Sequence, residues 1–445
     1  MSGGNAARAP ERAPECARVE ALTHEGEGIV RGGKTVFIPG ALPGETVRFV
    51  RARRRRQHDE GRLLEVLEPS AERVPPRCAH FGVCGGCLLQ HLGPEAQLAA
   101  KQQELADNLQ RLARVQCRHW LAPLTASVWG YRRRARLGVK YVAKKGKVVV
   151  GFRERHAPYV ADVQRCHVLS EPVGELLAPL GALVEALDIR AQLPQIEVAV
   201  ADNATALVLR VLAAPSPTDL EQLRAFGERH RLRLYLQPGG LETIAPLDGD
   251  GGGEPLHYTL PEFGLRLEFA PSDFVQINAA INRALVARAV QLLGPAEGDA
   301  VLDLYCGLGN FTLALARSGA QVVGVEGERS LIERARRNAA LNGIENAQFH
   351  AADLSHPPEP SAPWLRRNYS HVLLDPPRVG ARAMLATVAA MRPRRVLYVS
   401  CHPGSLARDL GMLVHEHGFV LDAAGVIDMF PHTGHVESLA LLRAS

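Results

Sequence analysis

The chain reads as a multidomain α/β protein with three parts: a small N-terminal OB-like β-barrel, a central α+β domain bearing a cysteine cluster, and a C-terminal Rossmann-like doubly wound domain. Three observations predict this. Residues 17–68 alternate short apolar runs with Gly and Pro-Gly turns; Cys78, Cys84 and Cys87 fall within ten residues; and from about residue 266 buried strands alternate with helices. A 445-residue chain that is 46% hydrophobic and 22% charged can hold two to four ordinary globular domains, which excludes a disordered or fibrous protein. No apolar stretch reaches the roughly 18 residues that cross a bilayer, and MSGGNAARAPERAPE lacks the apolar run of a secretory signal. Residues 1–16 are expected to be a disordered tail. Eight cysteines, four of them in one constellation, suit intracellular thiols better than a disulfide framework, so the cytoplasm is the expected location.

Taken in order, residues 17–69 are expected to form the barrel, 70–265 the central domain and 266–445 the doubly wound domain. The spacing of Leu98, Leu105, Leu109 and Leu112 predicts a helix over 94–115 that could pack on the C-terminal domain. Between 126 and 265, ARLGVKYV, KVVVGFR, IEVAVA, TALVLRVL, RLRLYLQ and LRLEF read as strands, with a helix near 218–229 and a turn at 250–254. Beyond, helices are expected at 281–293, 311–318 and 330–343. Strands are expected at 300–305 and 321–327, then in AQFHAA, HVLLD, RVLYVS, VLDAAGVID and ESLALLR.

Soft ligands grouped in this way ask for a metal centre. Five residues and then two separate Cys78, Cys84 and Cys87, and Cys166 lies far downstream, an arrangement that suits a 4Fe-4S cluster closed by the fold. A four-thiolate zinc knot fits less well, because zinc ribbons usually present their ligands as two short pairs. Radical-generating clusters normally place three residues between the first two cysteines; five argue against that use.

Charge is unevenly spread. Residues 111–166 carry 14 Lys/Arg against 2 Asp/Glu, while residues 1–77 carry 14 against 11, including the block Arg53 to Arg56. A basic segment on an acidic body is the footprint of a nucleic-acid binder, since neutralising phosphates releases counterions.

The chemistry is concentrated in the last third. In AVLDLYCGLGNF a strand runs into Gly307-Leu308-Gly309, where a ligand can approach the backbone, and Glu326 follows Gly307 by 19 residues at the end of the next expected strand. A carboxylate there accepts from ribose hydroxyls, and Thr312 in place of the third glycine disfavours a nicotinamide dinucleotide. Asp375-Pro376-Pro377 and Cys401 each end a strand at the same ligand edge, and Glu437 precedes the last strand.

GEGIVR and VFIPGALPGE resemble the TRAM domain of RNA-modifying enzymes. SDFVQIN (272–278), DLYCGLGNF (303–311), DPPR (375–378), SCHPG (400–404) and HVES (435–438) occur in the order found in uracil-5 RNA methyltransferases that use S-adenosylmethionine. The chain resembles that family along essentially its whole length. With both the TRAM-like segment and the four cysteines, it is most similar to the bacterial branch that modifies 23S ribosomal RNA at uracil-1939. The resemblance implies a S-adenosyl-L-methionine-dependent methyltransferase domain. It also implies Cys401 as the nucleophile that adds to carbon 6 of uracil and Glu437 as the base that removes the proton from carbon 5. Gln276, Tyr305, Asn310, Glu326, Asp353 and Asp375 would form the cofactor pocket, with Asp375 open to a role on the cofactor or on the uracil and its attacking thiol. Cys78, Cys84, Cys87 and Cys166 would hold the 4Fe-4S cluster. A monomer acting on a loop of ribosomal RNA with a flipped uridine is expected. The alternatives are a tRNA uracil-5 methyltransferase, a non-catalytic RNA-binding assembly factor, and a redox protein, for which no flavin site or electron partner is visible.

Overall fold

A computed structural model describes residues 13–249 and 253–444, which divide into two compact units: Met1–Ala100 with His432–Gly434, and Lys101–Pro431 with His435–Ser445. The expected turn at 250–254 falls largely outside the described residues, as does most of the expected tail, although the first strand already begins at Glu15.

The first unit contains β1 (Glu15–Arg18), β2 (Ala21–Leu22), β3 (Glu27–Val30), β4 (Val36–Pro39), β5 (Thr46–Arg54) and β6 (Asp59–Glu68), in the sheet order β1-β5-β6-β4-β3-β2. The two edge strands are consecutive in the chain. Their link is fastened by Val19 N–H donating to the Glu45 carbonyl (2.8 Å) and Glu20 N–H donating to the Ile29 carbonyl (2.8 Å), so the sheet is barrel-like. Alternate residues point inward: Val30, Val36, Ile38, Val47 and Phe49 are buried in one small core, while Arg53 to Arg56 stand exposed at the β5–β6 turn. After the barrel, the cysteine loop closes on itself through Phe81 N–H to the Cys78 carbonyl (3.1 Å) and Cys84 N–H to the His80 carbonyl (2.9 Å).

Helix α1 (Pro94–Asn108) runs from the first unit into the second and ends seven residues before the expected limit. It continues as one π turn, Leu109–Ala113, which stops at Arg114 in the left-handed region. A π turn holds an extra residue, so the apolar stripe changes phase. Leu105 and Leu109 are buried as expected, whereas Leu112 is 63% exposed and Ala113 takes the inward position.

The second unit continues with β7 (His119–Trp120), β8 (Arg134–Val142), β9 (Lys147–Gly151), α2 (Leu177–Ala186), β10 (Gln195–Val200), β11 (Thr205–Arg210), α3 (Pro217–His230), β12 (Leu232–Gln237) and β13 (Ala245–Pro246). Its first sheet has the order β13-β12-β11-β10-β8-β9 and mixes one parallel pair with antiparallel ones, the α+β arrangement expected. On β8 the alternation is clear: Ala135, Leu137 and Val139 are buried, whereas Arg136 and Lys140 are exposed.

There follow β14 (His257–Leu260), β15 (Leu265–Glu268), α4 (Ala279–Leu293), β16 (Ala300–Leu304), α5 (Thr312–Ala316), β17 (Gln321–Glu326), α6 (Arg329–Leu341), β18 (Ala347–Ala351), β19 (His371–Leu374), α7 (Arg382–Ala390), β20 (Arg395–Ser400), α8 (Pro403–His415), β21 (Phe419–Ile427) and β22 (Glu437–Ala444). β14 and β15 pair as a separate two-stranded sheet, and β16 to β22 with β7 build an eight-stranded sheet ordered β18-β17-β16-β19-β20-β22-β21-β7, in which β16 to β20 are mutually parallel and β22 is antiparallel to both neighbours. This is the expected doubly wound domain. The strand order reverses between β16 and β19, with successive strands added on one side and then on the other, and ligands of such sheets bind at the carboxyl ends of strands beside that switch. Among the described residues, no helix is long and apolar enough to cross a membrane.

Candidate active site

Strand register lines up the expected residues. Pairing of Val325 with Leu304 and of Leu304 with Leu374 brings β17, β16 and β19 to their carboxyl ends together, where Glu326, Tyr305 and Asp375 follow. Asp353 comes two residues after β18 on one side, and Cys401 follows β20 on the other. The antiparallel ladder of β20 and β22 ends at Ser400 opposite Ser438, so the next positions, Cys401 and Glu437, face each other across neighbouring strands. Six residues scattered over 133 positions, from Tyr305 to Glu437, therefore share one sheet edge.

The loop after β16 is built for close approach. Tyr305 itself is in the left-handed region at φ 66°, a strained conformation for a residue with a side chain, and Gly307 and Gly309 follow at 55° and 97°. The Tyr305 hydroxyl donates to the Leu354 carbonyl (3.2 Å), and burial pushes its pKa up to about 12, so it stays a neutral donor. Glu326 is fixed from both sides: one oxygen accepts from Gly307 N–H (3.2 Å), the other from Gly327 N–H (2.7 Å) and Glu328 N–H (3.1 Å). Gly324 is required behind this loop, since a Cβ there would stand 2.9 Å from Cys306 Sγ and from Phe349.

Asn310 and Gln276 meet around one asparagine. Asn310 exchanges two hydrogen bonds with the side chain of Asn282 (both 3.0 Å) and accepts from the Tyr258 hydroxyl (2.9 Å). Gln276 lines the cavity that Tyr258 and Asn282 also line. Its loop is tied to the residue preceding β8 by Arg133 N–H donating to the Ile277 carbonyl (2.8 Å). Asp353 is different: its carboxylate is exposed and accepts from Ser355 N–H (2.8 Å), Ser355 Oγ (2.6 Å) and His356 Nδ1 (2.9 Å). The Ser355 contacts, with His356 beside them, hold its pKa down at about 2.

The edge gathers negative charge in a poorly hydrated place. Burial, and then the Glu326 carboxylate, raises Asp375 to about 7; burial, and then Asp375, raises Glu437 to about 8. Cys401 is raised as well, by burial first and then by Glu437 and Asp375. The start of α8 opposes this, because a helix N-terminus favours a thiolate, but desolvation wins. The two loops that carry these groups are pinned together: Ser405 Oγ donates to the Arg378 carbonyl (3.0 Å), and Ser405 N–H donates to His402 Nδ1 (3.1 Å).

Sequence reasoning missed two buried ionisable groups. Asp303, fully buried in β16, accepts from Thr312 Oγ1 (2.5 Å) with one oxygen and has no partner for the other, and burial raises it to about 7. Lys101 is 3% exposed, on α1. The signal for Lys101 was present: it sits three residues after Leu98 and four before Leu105, a cation on the apolar stripe.

Cys78, Cys84 and Cys87 are half-buried in the first unit and Cys166 in the second, and among the described residues no group of three or more His, Cys, Asp or Glu is disposed to hold a metal ion.

The profile of the tRNA (Uracil-5-)-methyltransferase family matches residues 257–445. The chain is 52% identical to 23S rRNA (uracil(1939)-C(5))-methyltransferase RlmD of Alkalilimnicola ehrlichii, over 99% of each protein. It is 51% identical to RlmD of Nitrosococcus oceani, over 96% of each, and 47% identical to RlmD of Stenotrophomonas maltophilia, over 97% of each. The fold is that of the crystal structure of Pyrococcus abyssi tRNA (uracil-54, C5)-methyltransferase in complex with S-adenosyl-L-homocysteine, with a TM-score of 0.73 over 96% of this chain and 100% of that one, at 23% identity. Identity of about half over nearly the full length settles the family: the chain belongs to the 23S rRNA (uracil(1939)-C(5))-methyltransferases of the RlmD type.

Proposed function

We propose that the protein methylates carbon 5 of uridine 1939 in 23S ribosomal RNA through a covalent adduct on Cys401. The carrying observation is the β20–β22 register, which sets Cys401 opposite Glu437 at the edge where Tyr305, Glu326 and Asp375 also end their strands. The pocket fits S-adenosylmethionine, whose sulfonium supplies the methyl group: the left-handed loop admits a ligand to the backbone, and carboxyls raised by burial are ones that a cation would ionise. Glu326 and Gln276 hold the cofactor in this reading, with Asp353 at its exposed end.

Carbon 5 of uracil is a weak nucleophile. Addition of the Cys401 thiolate to carbon 6 makes the ring an enolate that carries electron density to carbon 5. After methyl transfer Glu437 accepts the proton from carbon 5; those bonding electrons reform the ring double bond, and the sulfur departs with its own pair. Asp375, between the cofactor residues and Cys401, orients the uracil.

The exposed cations Arg136, Lys140, Lys144, Lys145, Lys147 and Arg153, together with Arg53 to Arg56 of a TRAM-type barrel, supply the backbone contacts. They offset the roughly few kcal/mol needed to unstack the target base. The protein acts as a cytoplasmic monomer. A 4Fe-4S cluster on Cys78, Cys84, Cys87 and Cys166 is kept as a structural element of the RNA-binding region, supported by the soft donor set and by Gly86 N–H directed at Cys84 Sγ (3.5 Å). Anaerobically purified protein is expected to be brown, and removal of iron to lower melting temperature or RNA affinity before S-adenosylhomocysteine affinity. Colourless protein with stoichiometric zinc would remove the iron assignment.

The substrate is tested in a deletion strain. Position 1939 of 23S RNA is expected to lose its 5-methyl group while transfer RNA keeps its own; loss from transfer RNA alone would overturn the ribosomal reading.

A further inference from the structure

Lys101 is a buried cation that the chemistry above leaves without a role. Its ammonium donates to Asp428 Oδ1 (2.7 Å) and to the Phe430 carbonyl (2.9 Å), so the side chain is fixed at both contacts. Asp428 follows Ile427, the residue of β21 that pairs with Glu437 of β22, and its N–H donates to the Leu124 carbonyl (2.9 Å). The ammonium is thereby held beside the first residue of β22. A buried ammonium is costly unless it is paired, and here Asp428 supplies the pairing.

We propose that Lys101 is a positioning residue for proton removal, whose fixed ammonium gives Glu437 the opposite charge that a buried carboxylate needs in order to accept the proton from carbon 5. This rests on the reading of Glu437 as the base. The charges that act on Glu437 are Asp375 after β19 and Lys101 from α1, with Cys401 after β20 anionic when ionised and Asp428 paired to the lysine. Burial and Asp375 favour the protonated acid, and Lys101 opposes them. Above its pKa Glu437 is the carboxylate that can act, so loss of Lys101 moves the onset of activity to higher pH, and loss of Asp428, which partly neutralises the lysine, moves it lower.

The test uses the full-length protein with RNA tritiated at uracil carbon 5. The protein–RNA adduct is formed in a single turnover, and its decay with tritium release is followed from pH 6 to 10. Lys101→Met is expected to decay about tenfold more slowly at the acidic end and to approach the native rate at the alkaline end, a shift of about one pH unit. Lys101→Arg should restore the native profile, and Asp428→Asn should shift it the opposite way. A loss in Lys101→Met that is equal at every pH, or no loss, would overturn the proposal. Should Lys101→Met fail to bind S-adenosylhomocysteine, Asp428→Asn decides: a downward shift supports the role, and an unmoved or upward one refutes it. Glu437→Gln separates the two readings. If it releases tritium at the native rate, Glu437 is not the base; if it stalls while Lys101→Met keeps the native profile, the base stands and the lysine assignment fails.

Discussion

Cys401→Ala is expected to lower methyl transfer by at least about a thousandfold while leaving cofactor affinity within about twofold. The reason is chemical: without sulfur addition at carbon 6, no enolate forms and carbon 5 has nothing to offer an electrophile. The thiol is half-buried after β20, so its truncation costs about 1 kcal/mol of stability and the protein stays folded. Cys306 cannot substitute, since it is 3% exposed and its thiol is pushed well above the usual range by burial. Adduct formation in the native protein should rise with pH, because Cys401 too is held as the thiol by burial and by the Glu437 and Asp375 carboxyls. Tritium exchange from carbon 5, measured in both proteins with S-adenosylhomocysteine titrated in parallel, checks this result.

Glu437→Gln should separate the two halves of the reaction. Methyl transfer proceeds once, elimination stops, and a denaturant-resistant adduct of protein and methylated RNA accumulates. The same substitution carries a stability signature. Glu437 is an ordinary carboxyl when unfolded, near 4.5, and is raised to about 8 in the fold, so the folded state binds the proton more tightly. Its contribution is fully present below pH 4.5 and is lost as pH rises through about 8. An amide does not titrate, so the melting temperature of Glu437→Gln should exceed that of the native protein by a margin that widens across this window. A margin independent of pH would show that the carboxyl is not desolvated.

Much of this site was legible because its residues sit at strand ends. The apolar runs ending at Leu304, Glu326, Leu374 and Ser400 define parallel strands, and in a doubly wound sheet their carboxyl ends share one edge whatever their separation along the chain. The facing of Cys401 and Glu437 was not legible in that way: it depends on β22 running antiparallel to β20, and only the order of family motifs pointed to it. Helices α2, α7 and α8 went unannounced for related reasons. α2 and α7 are short and largely apolar, and α8 begins at Pro403, inside the SCHPG motif. Leu112 was misplaced because periodicity assumes 3.6 residues per turn, and the π turn at Leu109–Ala113 breaks that count. Asp303 looked like one more acid in a glycine-loop motif, and only packing reveals it as fully buried with an oxygen unpartnered.

The central claim is a covalent bond from Cys401 to carbon 6 of the target uracil. Mass spectrometry of the adduct trapped by Glu437→Gln, after protease and nuclease digestion, reads that bond directly. The expected product is the peptide containing Cys401 joined to 5-methyluridine monophosphate; absence of any nucleotide-bearing peptide, or attachment at another residue, would contradict it.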